Sequence, residues 1–242
     1  FWHITIYKMT NINQSKIKKA TKVFNSVFDK YDIMNDLMSL GIHRLWKQRL
    51  IEWMNPRKND HLIDMASGTG DIARVFLKRV KNQGKVTCVD PNKFMLERGK
   101  KKLGDLNNIR WHVSGAEKLP FEDNTFDIYS VSFGVRNFSN TKMAMKEAHR
   151  VLKRGGRFIC LEFSKVENEM LDKLYKKYSK TIPILGKYIV GDTEPYDYLI
   201  KTINEFHDQN TFKKIIEDNG FSNVEYRNIS GGIVAIHSAW KI

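Results

Sequence analysis

The residues best placed to do chemistry lie in one short run, Asp64-Met-Ala-Ser-Gly68-Thr-Gly70-Asp71, followed twenty residues after Gly70 by Asp90. Glycines suit a loop whose backbone must approach a ligand closely, because a Cβ would stand in the way, and the start of a helix offers free N–H groups. An acidic side chain ending the next strand can accept both hydroxyls of a ribose. So far the pattern fits a nicotinamide dinucleotide or S-adenosylmethionine, and Gly68-Thr-Gly70-Asp-Ile-Ala73 satisfies a permissive G-x-G-x-x-A fingerprint. Asp64 separates the two. A carboxylate four residues before Gly68 would repel a pyrophosphate but meet a cationic ligand end, so a sulfonium and an amino group fit better than two phosphates.

Such a loop works only if a strand ends beneath it and a helix begins above it. His61 to Ala66 reads as that strand and Ile72 to Val80 as that helix. The rhythm continues with strands Lys85 to Asp90, Ile109 to Val113, Phe126 to Phe133 and Arg157 to Phe163, and with helices Lys93 to Leu103 and Thr141 to Leu152. Short apolar runs alternating with helix-period segments predict an α/β fold with a parallel sheet. The paired glycines of Lys153-Arg-Gly-Gly156 are expected to cap the preceding helix and turn the chain. A helix, Thr211 to Asn219, and two strands, Asn223 to Asn228 and Gly232 to Ser238, close it. Two helical flanks, about 15–55 and 167–206, interrupt the rhythm and are expected to form a lid; breaks are expected at Asn35, at Ser39-Leu-Gly41, and at Pro183, Gly186, Gly191 and Pro195. Residues 1–14 are read as a flexible N-terminal segment and 15–242 as a single domain.

Composition narrows the function classes. The chain has 242 residues, 41% of them hydrophobic and 12% aromatic, which is too rich for disorder. Its 41 Lys+Arg exceed 27 Asp+Glu to give a net charge of +14, raising the local concentration of anionic partners without choosing among nucleic acid, membrane and acidic substrate. The two cysteines, Cys88 and Cys160, sit in apolar strand-like runs, so a reducing compartment and no disulfide framework are expected. Seven scattered histidines lack paired ligand spacing, so no metal is expected. The G-x-S-x-G elbow of a Ser-His-Asp hydrolase is absent. No stretch approaches the roughly 18 apolar residues of a membrane span, and a soluble, cytoplasmic protein is expected.

The run Asp64 to Asp71 resembles motif I of class I S-adenosylmethionine-dependent methyltransferases. The wider sequence is similar to one family among them, the ubiquinone/menaquinone biosynthesis C-methyltransferase (UbiE) family. The resembling segments are Lys30-Tyr-Asp-Ile-Met-Asn-Asp-Leu-Met-Ser39, Gly41-Ile-His-Arg-Leu-Trp-Lys47, Ala116 to Asp127, Ser132-Phe-Gly-Val-Arg-Asn137, Arg150 to Arg157, Leu161-Glu-Phe-Ser164 and Gly232 to His237. Their order spans about residues 28–241. The resemblance implies a Rossmann-like domain with a seven-stranded, mostly parallel sheet whose last strand is antiparallel. It implies S-adenosylmethionine as donor and ring-carbon methylation of a polyprenylated benzoquinol or demethylmenaquinol. The family's cofactor positions fall on Thr69, Asp90, Gly115, Ala116 and Ser132, with Asp64, Gly68 and Gly70 shaping the loop. Two positions depart from the family: Ser67 stands where a second glycine is usual, and Gly115 replaces Asn or Asp, leaving only backbone for the adenine edge.

Methyl transfer to a ring carbon is an in-line displacement in which positioning at about 3–3.5 Å matters most. An adjacent ring hydroxyl must lose its proton and a base must take the ring proton. Arg136, just after the fourth strand, is expected to stabilise a phenolate or orient a water. Tyr31 and Asp32 are expected to close over the substrate, with His43 and Glu162 as weaker candidates. The apolar residues between Leu174 and Leu199 are expected to line core or a tunnel for a prenyl tail. The competing readings are a methyltransferase of another small molecule or of nucleic acid, and a non-catalytic scaffold. Nucleic acid is disfavoured because exocyclic-amine methyltransferases place Asn/Asp-Pro-Pro-aromatic where this chain has Ser132-Phe-Gly-Val. In residues 1–60 there are 11 Lys+Arg against 5 Asp+Glu, with Lys16, Lys18, Lys19 and Lys22 clustered. For a lipophilic quinol substrate that excess suits peripheral contact with an anionic membrane surface, on the inner face or, in a eukaryote, the mitochondrial matrix side. A homodimer or a quinone-biosynthesis complex is left open.

Overall fold

The computed structural model describes Asp36, Ser39 and residues 41–104, 106–191 and 193–242, with backbone alone at 180, 185, 186, 189 and 190. Tyr31, Asp32, residues 1–14 and the lysines between 16 and 22 lie outside the described residues. The apolar runs become strands β1 His61–Met65, β2 Lys85–Asp90, β3 Ile109–Val113, β4 Phe126–Ser132, β5 Leu152–Phe163, β6 Ser222–Ile229 and β7 Val234–Trp240. They form one sheet in the order β3-β2-β1-β4-β5-β7-β6. β1 pairs in parallel with both β2 and β4, whereas β7 is antiparallel to β5 and to β6. This is the α/β, mostly parallel seven-stranded sheet with its last strand reversed that the sequence implies.

Helices α1 His43–Met54, α2 Asp71–Arg79, α3 Lys93–Leu103, α4 Thr141–Val151, α5 Glu169–Val190, α6 Glu194–Glu205 and α7 Gln209–Glu217 cover the two faces. Alternation along a strand sends neighbours to opposite faces. Leu62 therefore joins a core with Trp46, Leu50, Ile72, Phe76 and Tyr196, while Ile63 and Met65 join Ala144, Met145 and Phe212 on the other side. By the same parity Asp64 points to the face that α1 covers. Asn92, Asn140, Asn168 and Asp208 cap α3, α4, α5 and α7 with side-chain oxygens. The N-cap of α2 is Gly70, which has no side chain to offer, and Asp64 takes one first-turn N–H instead, that of Ala73.

Two expected boundaries differ. The glycines at 155 and 156 do not cap a helix: α4 ends at Val151 with Leu152 extended, and β5 starts at once. The C-terminal strand holds that segment open, since Gly155 N donates to Lys241 O at 2.7 Å and Lys241 N to Gly156 O at 3.0 Å. The helical flank is not broken at Pro183 or Gly186; α5 runs through both and ends on left-handed Gly191, φ 87°. A proline inside a helix removes one backbone donor and crowds one turn, a cost that a 22-residue helix with intact turns on either side absorbs.

Candidate active site

Ligands of open α/β sheets bind beyond the carboxyl ends of the strands where the strand order reverses. In this sheet that point lies between β1 and β4. The chain after β1 crosses it through Ala66 to Gly70, with Gly68 at φ 54° and Gly70 at φ 80°. Those angles call for glycine, and at Gly70 a Cβ would also come within 2.9 Å of Leu103 and Trp111. Ser67 is tolerated where the family favours glycine, because its φ is not positive; its N donates to Val89 O at 3.1 Å and its Oγ is buried beside the Cys88 thiol.

A narrow cleft opens here, lined by Lys47, Asp64, Ala66, Ser67, Thr69, Asp71, Ile72, Ser132 and Phe133. Of the sequence-predicted residues, Asp64, Thr69 and Ser132 line it directly. Gly68 and Gly70 set its loop, and Asp90 pins that loop from behind, its carboxylate accepting Gly68 N at 2.9 Å and Asn92 N at 2.8 Å. Burial pushes the Asp90 carboxyl up to about 6 against those two hydrogen bonds. Gly115 and Ala116 do not line the cleft; they follow β3 near Ser114, whose N donates to Asp90 O, and Ala116 is packed in the core.

Asp64 is 1% exposed and its Oδ2 has no hydrogen-bond partner. Burial holds its carboxyl well above the usual range, with Lys47 pulling down and Asp71 and Asp90 pushing up. An orphaned buried carboxylate oxygen, together with the unpartnered Oγ of Ser132, is what a cleft made for a polar, partly cationic ligand should contain. The residues present therefore fit S-adenosylmethionine.

Three residues escaped sequence reasoning. Lys47 occupies a core position of α1, in step with His43, Trp46, Leu50, Ile51 and Met54, all buried. A lysine inside an apolar stripe was the signal. Its Nζ lies 2.8 Å from Asp71 Oδ2, and Lys102 Nζ lies 3.1 Å from Asp71 Oδ1. Burial pushes Asp71 up, but the two ammoniums more than offset it and hold the carboxyl well below the carboxylate range. Ala66 and Phe133, at φ 55° and 56°, are left-handed without being glycine. No sequence signal marks them.

Beyond the cleft, the turn after β4 carries Arg136, 7% exposed. Its Nη1 donates to Glu162 Oε1 at 2.8 Å, its backbone N to Glu162 Oε2 at 3.3 Å, and Phe163 N to Glu162 Oε1 at 2.9 Å. Burial raises the Glu162 carboxyl while Arg136 and the two N–H groups pull it down. Arg136 is thus an ion-paired, held guanidinium and not a free base, although its Nε retains a buried N–H without an acceptor. His43 bonds Asp36 at 3.0 Å, and burial lowers its pKa.

A second cavity of about 820 Å³ lies between α5, α6 and the chain leaving β5. Its walls mix Tyr175, Pro183, Ile200 and Ile203 with Asp172, Lys176, Ser179 and Asp197, so it is not the apolar tunnel expected. Ile182 and Leu199 are core, whereas Ile184 and Tyr188 are exposed. The buried hydroxyl of Tyr175 lies by Ser179 and close enough to Arg136 to feel its charge.

The model of the ubiE/COQ5 methyltransferase family matches residues 9–241. A protein of Rickettsia bellii (strain OSU 85-389), named ubiquinone/menaquinone biosynthesis C-methyltransferase UbiE, is 49% identical over 246 residues, covering 96% of this chain and 99% of its own length. The mitochondrial 2-methoxy-6-polyprenyl-1,4-benzoquinol methylase of Danio rerio is 44% identical, with 95% of this chain and 81% of the relative covered. Among solved structures, an S-adenosylmethionine-dependent methyltransferase of Thermotoga maritima shares the fold at TM-score 0.65 and 16% identity, over 91% of this chain and 99% of that one.

Proposed function

The chain belongs to the ubiE/COQ5 methyltransferase family, and from that premise we propose that it transfers a methyl group to a ring carbon of a polyprenylated quinol in ubiquinone or menaquinone biosynthesis. S-adenosylmethionine is the donor, supplying an electrophilic methyl on a sulfonium. The observation that carries the reading is the match along nearly the whole chain, from residue 9 to 241. The site supports it. Asp64, Thr69 and Ser132 are available to hold the cofactor's polar groups, and Asp90 has lone pairs left for ribose hydroxyls after accepting two N–H groups.

When bound, S-adenosylmethionine would give its methyl to the ring carbon with the methyl–sulfur electrons left on sulfur, and the ring proton would pass to a water. The guanidinium of Arg136, fixed by Glu162, gives a positive field and a spare Nε–H for a ring oxygen that has become an oxyanion. Tyr31 and Asp32 are the side chains proposed to close over the ring. The cavity between α5 and α6, next to Arg136, is the place proposed for the ring and the first part of its tail.

Among the described residues no helix is long and apolar enough to cross a membrane. The lipophilic substrate is proposed to be met at a bilayer surface. Met170, Leu174, Ile184 and Tyr188 are 59–84% exposed on one side of α5, a helix that also carries Lys173, Lys176, Lys177 and Lys187. Apolar side chains flanked by lysines suit the interface of an anionic leaflet. The test of the activity is direct: purified protein given S-adenosylmethionine and a reduced, short-chain demethylated quinol should yield a product heavier by one CH₂. Binding of S-adenosylhomocysteine without that product, on either a benzoquinol or a naphthoquinol, would remove the substrate assignment.

A further inference from the structure

A carboxyl and an ammonium face the cleft, and each has hydrogen-bonding capacity to spare. At the floor, Asp64 Oδ2 is buried without a donor. At the wall, the Lys47 side chain is 10% exposed and, among the described residues, its one hydrogen bond goes to Asp71. An ammonium has three donors, so two are left over. Asp71 does not cancel that cation, because it is shared: Lys47 and Lys102 together bring two positive charges to one carboxylate. Lys47 costs desolvation at a core position of α1, and Asp71 already has an ion-pair partner in Lys102, so the pair with Asp71 gives little reason for a buried lysine.

We propose that Asp64 and Lys47 form a clamp for the zwitterionic end of an α-amino acid, Asp64 accepting from its ammonium and Lys47 donating to its carboxylate. Lys47 is then a specificity residue: it selects a methyl donor that retains its carboxylate. The inference rests on the cofactor assignment above and adds to it the residue that reads one end of the cofactor. Thr69 and Ser132 line the same cleft and complete its polar wall.

The experiment is calorimetric binding of four ligands to the full chain: S-adenosylmethionine, its decarboxylated form, S-adenosylhomocysteine, and 5′-methylthioadenosine, which lacks the amino-acid end. In Lys47→Met the S-adenosylhomocysteine affinity should fall about ten- to a hundredfold, the loss expected for a charged hydrogen bond. Affinity for 5′-methylthioadenosine should stay within about twofold. Lys102→Met, which removes the other ammonium on Asp71 from outside the cleft lining, should retain S-adenosylhomocysteine binding. The unmodified protein needs no variant to be informative: it should prefer S-adenosylmethionine over its decarboxylated form about tenfold or more. Equal loss for both thioether ligands in Lys47→Met, loss in Lys102→Met as large as in Lys47→Met, or no discrimination by the unmodified protein would overturn the clamp alone. An unmodified protein that binds none of the four refutes the cofactor assignment and the clamp with it.

Discussion

The Arg136–Glu162 pair can be taken apart so that its structural and chemical roles separate. The two side chains are 4% and 2% exposed and 2.8 Å apart, and Glu162 accepts three hydrogen bonds in all. Glu162→Gln keeps the shape but leaves a buried guanidinium that cannot lose its charge, so it should cost about 3–5 kcal/mol of folding stability. Out of a total near 5–15 kcal/mol this is severe but measurable. Arg136→Met leaves a carboxyl that can take up a proton, and its cost should be at the low end of that range. Its pH dependence follows from sign: without Arg136 the raised Glu162 carboxyl rises further. A group raised in the folded state contributes stability that is present below its unfolded pKa and lost as pH rises through the folded value. Arg136→Met should therefore recover stability relative to the unmodified chain as pH falls. Removing both charges with Arg136→Met/Glu162→Met should cost much less than the sum of the singles, since an apolar pair of similar volume is often no worse than a buried ion pair. Urea unfolding followed by tryptophan fluorescence gives the free energies, and the double-mutant cycle gives the coupling. A Glu162→Gln cost below about 1 kcal/mol, or a double variant as unstable as the sum of the singles, would refute the view that burial makes the two charges dependent on each other. Methyl transfer completes the argument. The folded double variant should lack turnover; turnover at the unmodified rate would remove Arg136 from the chemistry.

Asp90, raised to about 6 by burial, should weaken nucleoside binding as pH falls: the affinity for 5′-methylthioadenosine should drop by up to about tenfold per unit below pH 6, and the dependence should vanish in Asp90→Asn. In the ligand-free protein the same shift from 3.8 contributes about 3 kcal/mol of stability that is present below pH 4 and lost by pH 6, and a pH–stability curve of Asp90→Asn that keeps this fall would disprove it. For the bilayer surface, sedimentation with phosphatidylglycerol vesicles should show binding that high salt weakens, and Leu174→Glu/Ile184→Glu should reduce it by about tenfold or more; unchanged binding would exclude α5 as the contact.

What the sequence disclosed and what it hid divide along one line. β3 and α3 lie where the residues place them, because both are bounded by local signals: an apolar run, an Asn92 cap, a glycine at 104. Gly68 and Gly70 were readable for the same reason, since the demand for a left-handed backbone is written in the residue type. Features that arise when distant segments meet were not readable. Gly155 and Gly156 look like a helix stop until the C-terminal strand pairs with them. Arg136 and Glu162 stand 26 residues apart and are joined only because β4 and β5 are neighbours, with Ser132 opposite Leu161.

Ala66 and Phe133 carry this furthest. A single non-glycine residue in the left-handed region costs roughly 1–2 kcal/mol, and no local signal explains two of them in one cleft. The surroundings hold them there. A Cβ on Gly134 would come within 2.4 Å of the Ala66 Cβ, so Ala66 can turn left-handed against the chain leaving β4 only because position 134 has no side chain. Phe133 in turn is fixed by Trp46 and Phe163, whose rings lie 6.1 and 5.0 Å from its own, and by its N donating to Leu161 O at 2.8 Å. The loops after β1 and β4 are therefore shaped by each other, and each sacrifices some backbone stability to form one wall of the same cleft.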